Sequence, residues 1–116
     1  MKSTISILAA LAEPTRLGAL RLLRDGGEHC VCELMERLQA SQSRMSRHMA
    51  TLKMAGLVVD RRDAQWVRYR RNPDMTEEAG AIVEAALAAI DADETPGTRR
   101  GETWTSKCSA GDAKTA

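Results

Sequence analysis

Phenylalanine is absent from this chain of 116 residues, and two tryptophans and one tyrosine are its only aromatic residues. A hydrophobic core must therefore be built from Leu, Ile, Val, Met and Ala, which favours packed helices. One small domain is the natural division of so short a chain, and an aliphatic core of this size is marginally stable alone. These constraints predict a mainly α-helical domain that gains stability by pairing with a second copy.

Apolar side chains recur at helical spacing in five segments, with turn residues between them. Ser41 and Thr76 are suitable N-cap residues, Pro14 suits a first helical turn, and Gly56 suits a helix end. Between the fourth and fifth segments, alternating side chains predict two strands joined by a turn at residues 62–65. The predicted helices are residues 4–11, 14–25, 31–38, 42–55 and 76–91, and the predicted strands are residues 57–59 and 66–70.

Charge is segregated along the chain although the net charge is only +1. Residues 44–71 contain eight lysines and arginines against two aspartates, a net charge of +6. This basic block indicates a face that binds a polyanion, with an ordinary solvated surface as the alternative. After residue 92 the composition turns to Gly, Ser, Thr, Lys and Ala, which predicts a domain at residues 1–92 and a flexible tail at residues 93–116.

The fourth predicted helix gathers its polar residues on one face. Short polar side chains and an arginine in the first turns of a basic helix suit base edges and phosphates in a DNA major groove. The basic hairpin that follows is typical of a wing, whose tip can lie along the phosphate backbone or enter the minor groove. A plain surface helix is the alternative. The residues predicted to face DNA are Gln42, Ser43, Arg44, Ser46 and Arg47 on the helix and Arg61, Arg62 and Arg68 on the hairpin.

Cys30 and Cys32 lie two positions apart at the start of a predicted helix. Thiolates are soft ligands, and peptide dipoles at a helix N-terminus favour the thiolate form. Residues i and i+2 of a regular helix point about 200° apart, so an ion held by both sulfurs favours an unwound helix start. Cys108 in the tail is a candidate third sulfur, from either subunit. Inert packing of the pair and an incidental Cys108 are the alternatives.

Four segments, in this order, resemble the ArsR/SmtB family of metalloregulatory repressors: residues 12–17 (AEPTRL), 30–34 (CVCEL), 41–48 (SQSRMSRH) and 55–58 (AGLV). The resemblance implies a homodimeric winged helix-turn-helix repressor that leaves its operator DNA when an inducer binds. It adds His48 to the DNA-facing set. The CVCEL element is similar to the arsenic-responsive branch, which implies Cys30 and Cys32 as ligands of As(III) or Sb(III).

The sequence departs from some arsenic sensors, which carry a third cysteine where this chain has Met35. Three-sulfur binding then requires Cys108, whereas a two-sulfur site suits a methylated trivalent arsenical such as methylarsenite. The N-terminal arm lacks the cysteines of the cadmium and lead sensors. Residues 76–91 lack the histidines of the zinc and nickel sensors. Both departures favour arsenic as the inducer.

The sequence therefore predicts an arsenic-responsive repressor with no organic cofactor. A thiol redox repressor and a winged-helix protein-interaction module are the alternatives. An enzyme is not expected, because no catalytic triad, paired carboxylates or phosphate-binding glycine loop is present. A cytoplasmic location is expected, since three cysteines form a poor disulfide framework and the N-terminus lacks the apolar core of a secretory signal. No apolar run is long enough to predict a membrane partner.

Overall fold

A computed structural model of the chain describes residues 2–93, and the predicted tail beyond Asp93, with Cys108, lies outside the described residues. The order of elements confirms the predicted winged helix-turn-helix. A short 3-10 turn, Leu23–Asp25, follows the second helix. The elements are α1 (Lys2–Leu11), α2 (Pro14–Leu22), β1 (His29–Cys30), α3 (Val31–Leu38), α4 (Gln42–Met54), β2 (Val58–Asp63), β3 (Trp66–Arg71) and α5 (Glu77–Asp93).

Side-chain caps fix where the helices begin. The Ser41 hydroxyl accepts a hydrogen bond from the Arg44 amide at 3.2 Å, so α4 begins where the sequence predicts. Thr76 caps α5 in the same way, accepting from the Ala79 amide at 3.1 Å. Each contact satisfies an amide that has no partner within its helix. Local sequence chemistry thus sets the register of the two helices on either side of the wing.

An aliphatic core joins the helices, as the composition predicts. Each helix gives the core one face, and α4 does so with two methionines and a leucine that are fully buried. Tyr69 is the aromatic residue among the buried side chains of residues 2–93. The largest fully buried side chains are Leu20, Leu23, Leu34, Met45, Met49, Leu52, Leu57, Val58, Val83 and Leu87.

The wing is a three-stranded antiparallel sheet rather than the predicted two-stranded hairpin. Its strand order is β1-β3-β2, and the two-residue strand β1 pairs His29 with Tyr69 and Cys30 with Arg68. A strand of two residues has no periodicity to detect, which explains why the sequence did not predict it. The sheet therefore extends back to the segment that carries the cysteine pair.

The hairpin turn is also tighter than predicted. Asp63 pairs with Trp66, so only Ala64 and Gln65 form the turn, and Ala64 adopts a left-handed φ of 58°. Gly or Asn normally marks such a turn, and neither is present here. Arg62, predicted in the turn, instead lies in β2 opposite Val67.

Two apolar surfaces remain incompletely covered. Ile5 and Leu8 on α1 are 57% and 48% exposed. On α5, Ile82, Ala86 and Ile90 are only half-buried, although the same helix buries three other apolar residues in its own domain. Within residues 2–93, no helix has both the length and the apolar character needed to cross a bilayer.

Ion pairs hold α5 against the second helix. Asp91 accepts from Arg21 and Arg24, each at 2.8 Å. The Arg24 hydrogen bond lowers the pKa of Asp91 below its ordinary value. Because these pairs are partly exposed, each is expected to stabilise the fold only slightly. They nevertheless fix the side of α5 that faces the helix-turn-helix unit.

Met49 and Met54 provide a matched test of the core around α4. Met49 is fully buried, whereas Met54 at the end of the same helix is 88% exposed. We expect Met49→Ala to lower the free energy of unfolding by about 2–5 kcal/mol, because it leaves a cavity. Met54→Ala should change it by less than about 0.5 kcal/mol. Urea unfolding followed by circular dichroism measures both, and equal losses would contradict the described packing of α4.

Candidate DNA-reading surface and cysteine pair

The outer face of α4 presents five of the predicted DNA-facing side chains together. Its inner face is held by the buried core, which leaves the other side of the helix free. Within the described part of the chain, the guanidinium groups of Arg44 and Arg47 have no hydrogen-bond or ion-pair partner. A helix fixed on one side and polar on the other can enter a DNA major groove. The five exposed residues are Gln42, Ser43, Arg44, Ser46 and Arg47.

The three predicted wing arginines differ in their surroundings. Arg61 makes a bidentate pair with Glu28, with Nη2 and Nε at 2.7 and 2.9 Å from the carboxylate. This contact lowers the pKa of Glu28 below its ordinary value. Arg68 donates to Asp63 at 3.0 Å. Arg62 is exposed and has no partner among residues 2–93, so it is the most accessible of the three to a phosphate.

His48 lies one turn after Arg44, on the edge of α4 that contacts the start of α2. Its side chain is only 16% exposed. Its Nδ1 lies 3.1 Å from Nη1 of Arg16, and its Nε2 lies 3.9 Å from a carboxylate oxygen of Glu13. Its contacts therefore place His48 against the start of α2, and we do not include it in the outer face.

Cys30 joins the wing sheet to α3. It is the N-cap of α3, and its Sγ accepts a hydrogen bond from the Cys32 amide at 3.3 Å. Its extended backbone also pairs with Arg68 in β3. Since α3 begins only at Val31, Cys30 already lies outside the helix. The 200° separation expected for two residues of one helix therefore does not apply to this pair.

Both thiols are buried, and the surrounding side chains shield them from solvent. Cys30 and Cys32 are each 7% exposed, and neither is in a disulfide. Residues 2–93 contain no group of three His, Cys, Asp or Glu side chains arranged to hold a metal ion. Met35, at the position of the third cysteine of some sensors, packs against the core. A third sulfur from Cys108 would have to come from outside the described residues.

His29 clamps the segment just before the cysteine pair. Its Nδ1 lies 2.8 Å from Glu33 on α3, and its Nε2 lies 3.0 Å from both carboxylate oxygens of Asp25. The hydrogen bond to Glu33 is the main cause that raises the pKa of His29 to about 9, and burial opposes it. A protonated His29 thus joins the start of α3 to the 3-10 turn that follows α2.

Sequence reasoning missed the partners of several site residues. Glu28 and Asp63 neutralise wing arginines, and Arg16 binds His48 across a separation of 32 residues. Periodicity identifies the exposed side of a helix but not which charges meet across the fold. For Asp63, the only available signal was its short spacing from Arg68.

A family model described as "Bacterial regulatory protein, arsR family" matches residues 13–59. The chain is 43% identical over 82 residues to the "Arsenical resistance operon repressor" of Escherichia coli K12, covering 71% of this chain and 70% of that protein. It is 41% identical over 83 residues to the "Arsenic resistance transcriptional regulator ArsR2" of Pseudomonas putida, covering 72% of each.

The fold is similar to that of HlyU from Vibrio cholerae. The solved structure has a TM-score of 0.67 and 36% identity, and the match covers 78% of this chain and 94% of that one. The HlyU sequence carries the name "Transcriptional activator". The relatives described here therefore include two proteins named for arsenic resistance and one named as a transcriptional activator.

The raised pKa of His29 predicts a specific pH dependence of stability. Because the folded pKa is about 9 and the ordinary value is 6.5, the stabilisation is complete below about pH 6.5 and is lost as the pH rises through about 9. We expect His29→Gln to destabilise by on the order of 1–2 kcal/mol near pH 6 and far less near pH 10. Urea unfolding of the unmodified chain and the variant across this pH range gives the difference in their free energies of unfolding. Groups that titrate equally in both proteins cancel in that difference. A pH-independent difference would contradict the clamp.

Proposed function

This chain belongs to the arsR family of bacterial regulatory proteins, and from that premise we propose that its inducer is a trivalent arsenical or antimonite. It is a winged helix-turn-helix transcriptional repressor of that family and not an enzyme. In the proposed cycle, the dimer without inducer binds operator DNA. Binding of arsenite, methylarsenite or antimonite by Cys30 and Cys32 then releases the DNA.

The position of Cys30 is the observation that carries the proposal. One residue is at once a member of the wing sheet, through its pairing with β3, and the N-cap of α3. Its Sγ currently accepts the Cys32 amide, so a ligand that takes up the sulfur electron pairs competes with that cap. Loss of a cap made by a side-chain oxygen costs about 1 kcal/mol, and a sulfur accepts more weakly, so loss of this cap costs less. Binding at this residue is therefore linked energetically to the wing and to α3, the helix that packs against α4.

Packing of α3 against α4 can transmit a change at the start of α3 to α4. Leu34 of α3 is fully buried in the same core as Met45 and Met49 of α4. The turn between the helices is short, with Gln39 in a left-handed conformation at a φ of 55°. A shift at the start of α3 is therefore transmitted by packing rather than absorbed by a long linker.

The donor set supports a thiophilic inducer. Two thiols are soft donors, which select soft or borderline ions over Mg²⁺ or Ca²⁺. Within residues 2–93, no cluster of three potential metal ligands accompanies them. Two sulfurs match a methylated trivalent arsenical, which has only two exchangeable positions. Arsenite and antimonite accept a third sulfur, for which Cys108 is the proposed source.

The apolar surfaces support a homodimer. Ile5 and Leu8 on α1 are largely exposed, and half-buried residues of α5 offer a second apolar surface. A dimer paired through these helices would carry two copies of α4, one for each half-site. Such dimers bind half-sites about 34–36 Å apart along the duplex. The operator is therefore expected to be an inverted repeat.

The test is fluorescence anisotropy of a duplex that the chain has enriched from a random-sequence pool. The duplex is titrated with protein and then with arsenite, methylarsenite or antimonite in the presence of reductant. We expect the inducer to weaken binding of the unmodified chain by roughly 5–150-fold. Cys30→Ser with Cys32→Ser should bind the duplex and not respond. Cys108→Ser should lose the response to arsenite but keep the response to methylarsenite if Cys108 is the third ligand.

Two other outcomes distinguish the alternatives. A thiol redox repressor is favoured by one observation, namely that two buried thiols lie two residues apart without a disulfide. It would release DNA with peroxide alone and rebind after reduction. A protein-interaction module would enrich no duplex, whereas a repressor binds DNA with an affinity that falls steeply as salt rises. Binding that persists with all three inducers would contradict the proposed inducer class.

Arg47 offers a direct test of the proposed DNA-reading face. Its side chain is exposed and has no partner within the described residues. Arg47→Ala should weaken binding to the enriched duplex by about 1–3 kcal/mol, as for one base or phosphate contact. Arg24→Ala removes an equal charge from a residue that pairs with Asp91 on α5 rather than from α4, and it is the matched control. Unchanged affinity of the Arg47 variant at equal salt would remove this residue from the interface.

A further inference from the structure

Arg16 binds the end of α1 although it belongs to α2. Its Nε donates to the Ala10 carbonyl at 2.7 Å, and its Nη2 donates to the Ala9 carbonyl at 3.4 Å. Carbonyls in the last turn of a helix lack partners within the helix. One guanidinium therefore caps α1 and fixes the angle between α1 and α2. The exposed Ile5 and Leu8 lie on this same α1.

The third guanidinium nitrogen of Arg16, Nη1, reaches α4. Its Nη1 lies 3.1 Å from Nδ1 of His48. A guanidinium has only donors, so Nδ1 must be the acceptor. In the neutral ring, the proton is then on Nε2, which faces Glu13 at 3.9 Å. Glu13 in turn accepts from the Arg16 amide at 2.9 Å. The contact thus specifies one tautomer and one orientation of the His48 ring.

His48 directly follows Arg47, one of the residues on the proposed DNA-reading face. Arg47 points outward, whereas the ring of His48, 16% exposed, faces Arg16. Rotation of α4 about its axis would break the Arg16 contact and turn Arg47 at the same time. Fully buried Met45 and Met49 resist such a rotation only through packing. The hydrogen bond adds a directional constraint that apolar packing lacks.

We propose that Arg16 is a positioning residue for DNA reading, setting the orientation of α4 relative to the dimer helix α1 through His48. The inference rests on the proposed DNA-reading role of α4 but not on the identity of the inducer. In a dimer paired through α1, this contact sets the angle at which each copy of α4 meets its half-site. Arg16 itself touches no DNA. It governs discrimination of the two-half-site operator rather than general affinity for DNA.

The test compares the enriched duplex with an unrelated duplex of equal length at equal salt. Arg16→Lys keeps the charge but has a single nitrogen, which cannot reach the α1 carbonyls and His48 together. We expect it to weaken binding to the enriched duplex about tenfold and to the unrelated duplex by less than about twofold. Arg24→Lys is the matched control, since Arg24 joins other elements through Asp91 and should leave the ratio unchanged.

Two variants of His48 test whether the effect of Arg16 passes through its contact with His48, rather than through loss of folding or a direct contact of His48 with DNA. His48→Asn places a carbonyl oxygen where Nδ1 lies, so it should retain most of the discrimination. His48→Leu removes the acceptor and should match Arg16→Lys. Combining His48→Leu with Arg16→Lys should add no further loss, because both break one contact. Additive losses would show separate roles and overturn the proposal.

A spectroscopic readout tests the contact without DNA. Two-bond ¹H–¹⁵N correlations of the imidazole in the full chain should show the Nε2–H tautomer of His48, and Arg16→Lys should remove that preference. A mixed tautomer in the unmodified chain would overturn the inference. A ratio of enriched to unrelated binding that stays at the unmodified chain's value in every variant would also overturn it while leaving the repressor assignment intact. Enrichment of no duplex at all would overturn both.

Discussion

Burial of one face of α4 is the interaction on which the rest of the structure depends. Met45, Met49 and Leu52 have no exposed surface, and they tie this helix to a core made almost wholly of aliphatic side chains. Because the inner face is fully engaged, the outer face can consist of short polar groups and arginines without loss of stability. A helix that must enter a groove needs this division between the two sides.

Around the cysteine pair, single residues join two elements of the fold at once. A single residue, Cys30, closes the edge of the wing sheet and begins α3. His29 beside it holds α3 to the 3-10 turn that follows α2, and Glu28 holds the wing through Arg61. Three consecutive residues therefore connect three parts of the domain. A ligand at residues 28–30 therefore perturbs the contacts between these parts and not only the start of α3.

Much of the fold could be predicted from local chemistry. Caps such as Ser41 and Thr76 and the spacing of apolar residues gave the helices to within a few positions, because these signals act within one or two turns. The two-residue strand β1 and the turn at Ala64 were not predicted, since the first lacks periodicity and the second lacks a typical turn residue. The placement of His48 was not predictable either. Its partner, Arg16, lies 32 positions away and is brought near only by packing.

The brevity of β1 has a kinetic consequence for any ligand of the thiols. Cys30 and Cys32 are buried, so a ligand reaches them only when the surrounding structure opens. A strand of two residues can be lost by a small local fluctuation, at a free energy well below that of global unfolding. The frequency of this opening, rather than diffusion of the ligand, would then set how quickly the sulfurs are engaged. A longer strand would hold the junction more firmly and make the same chemistry slower.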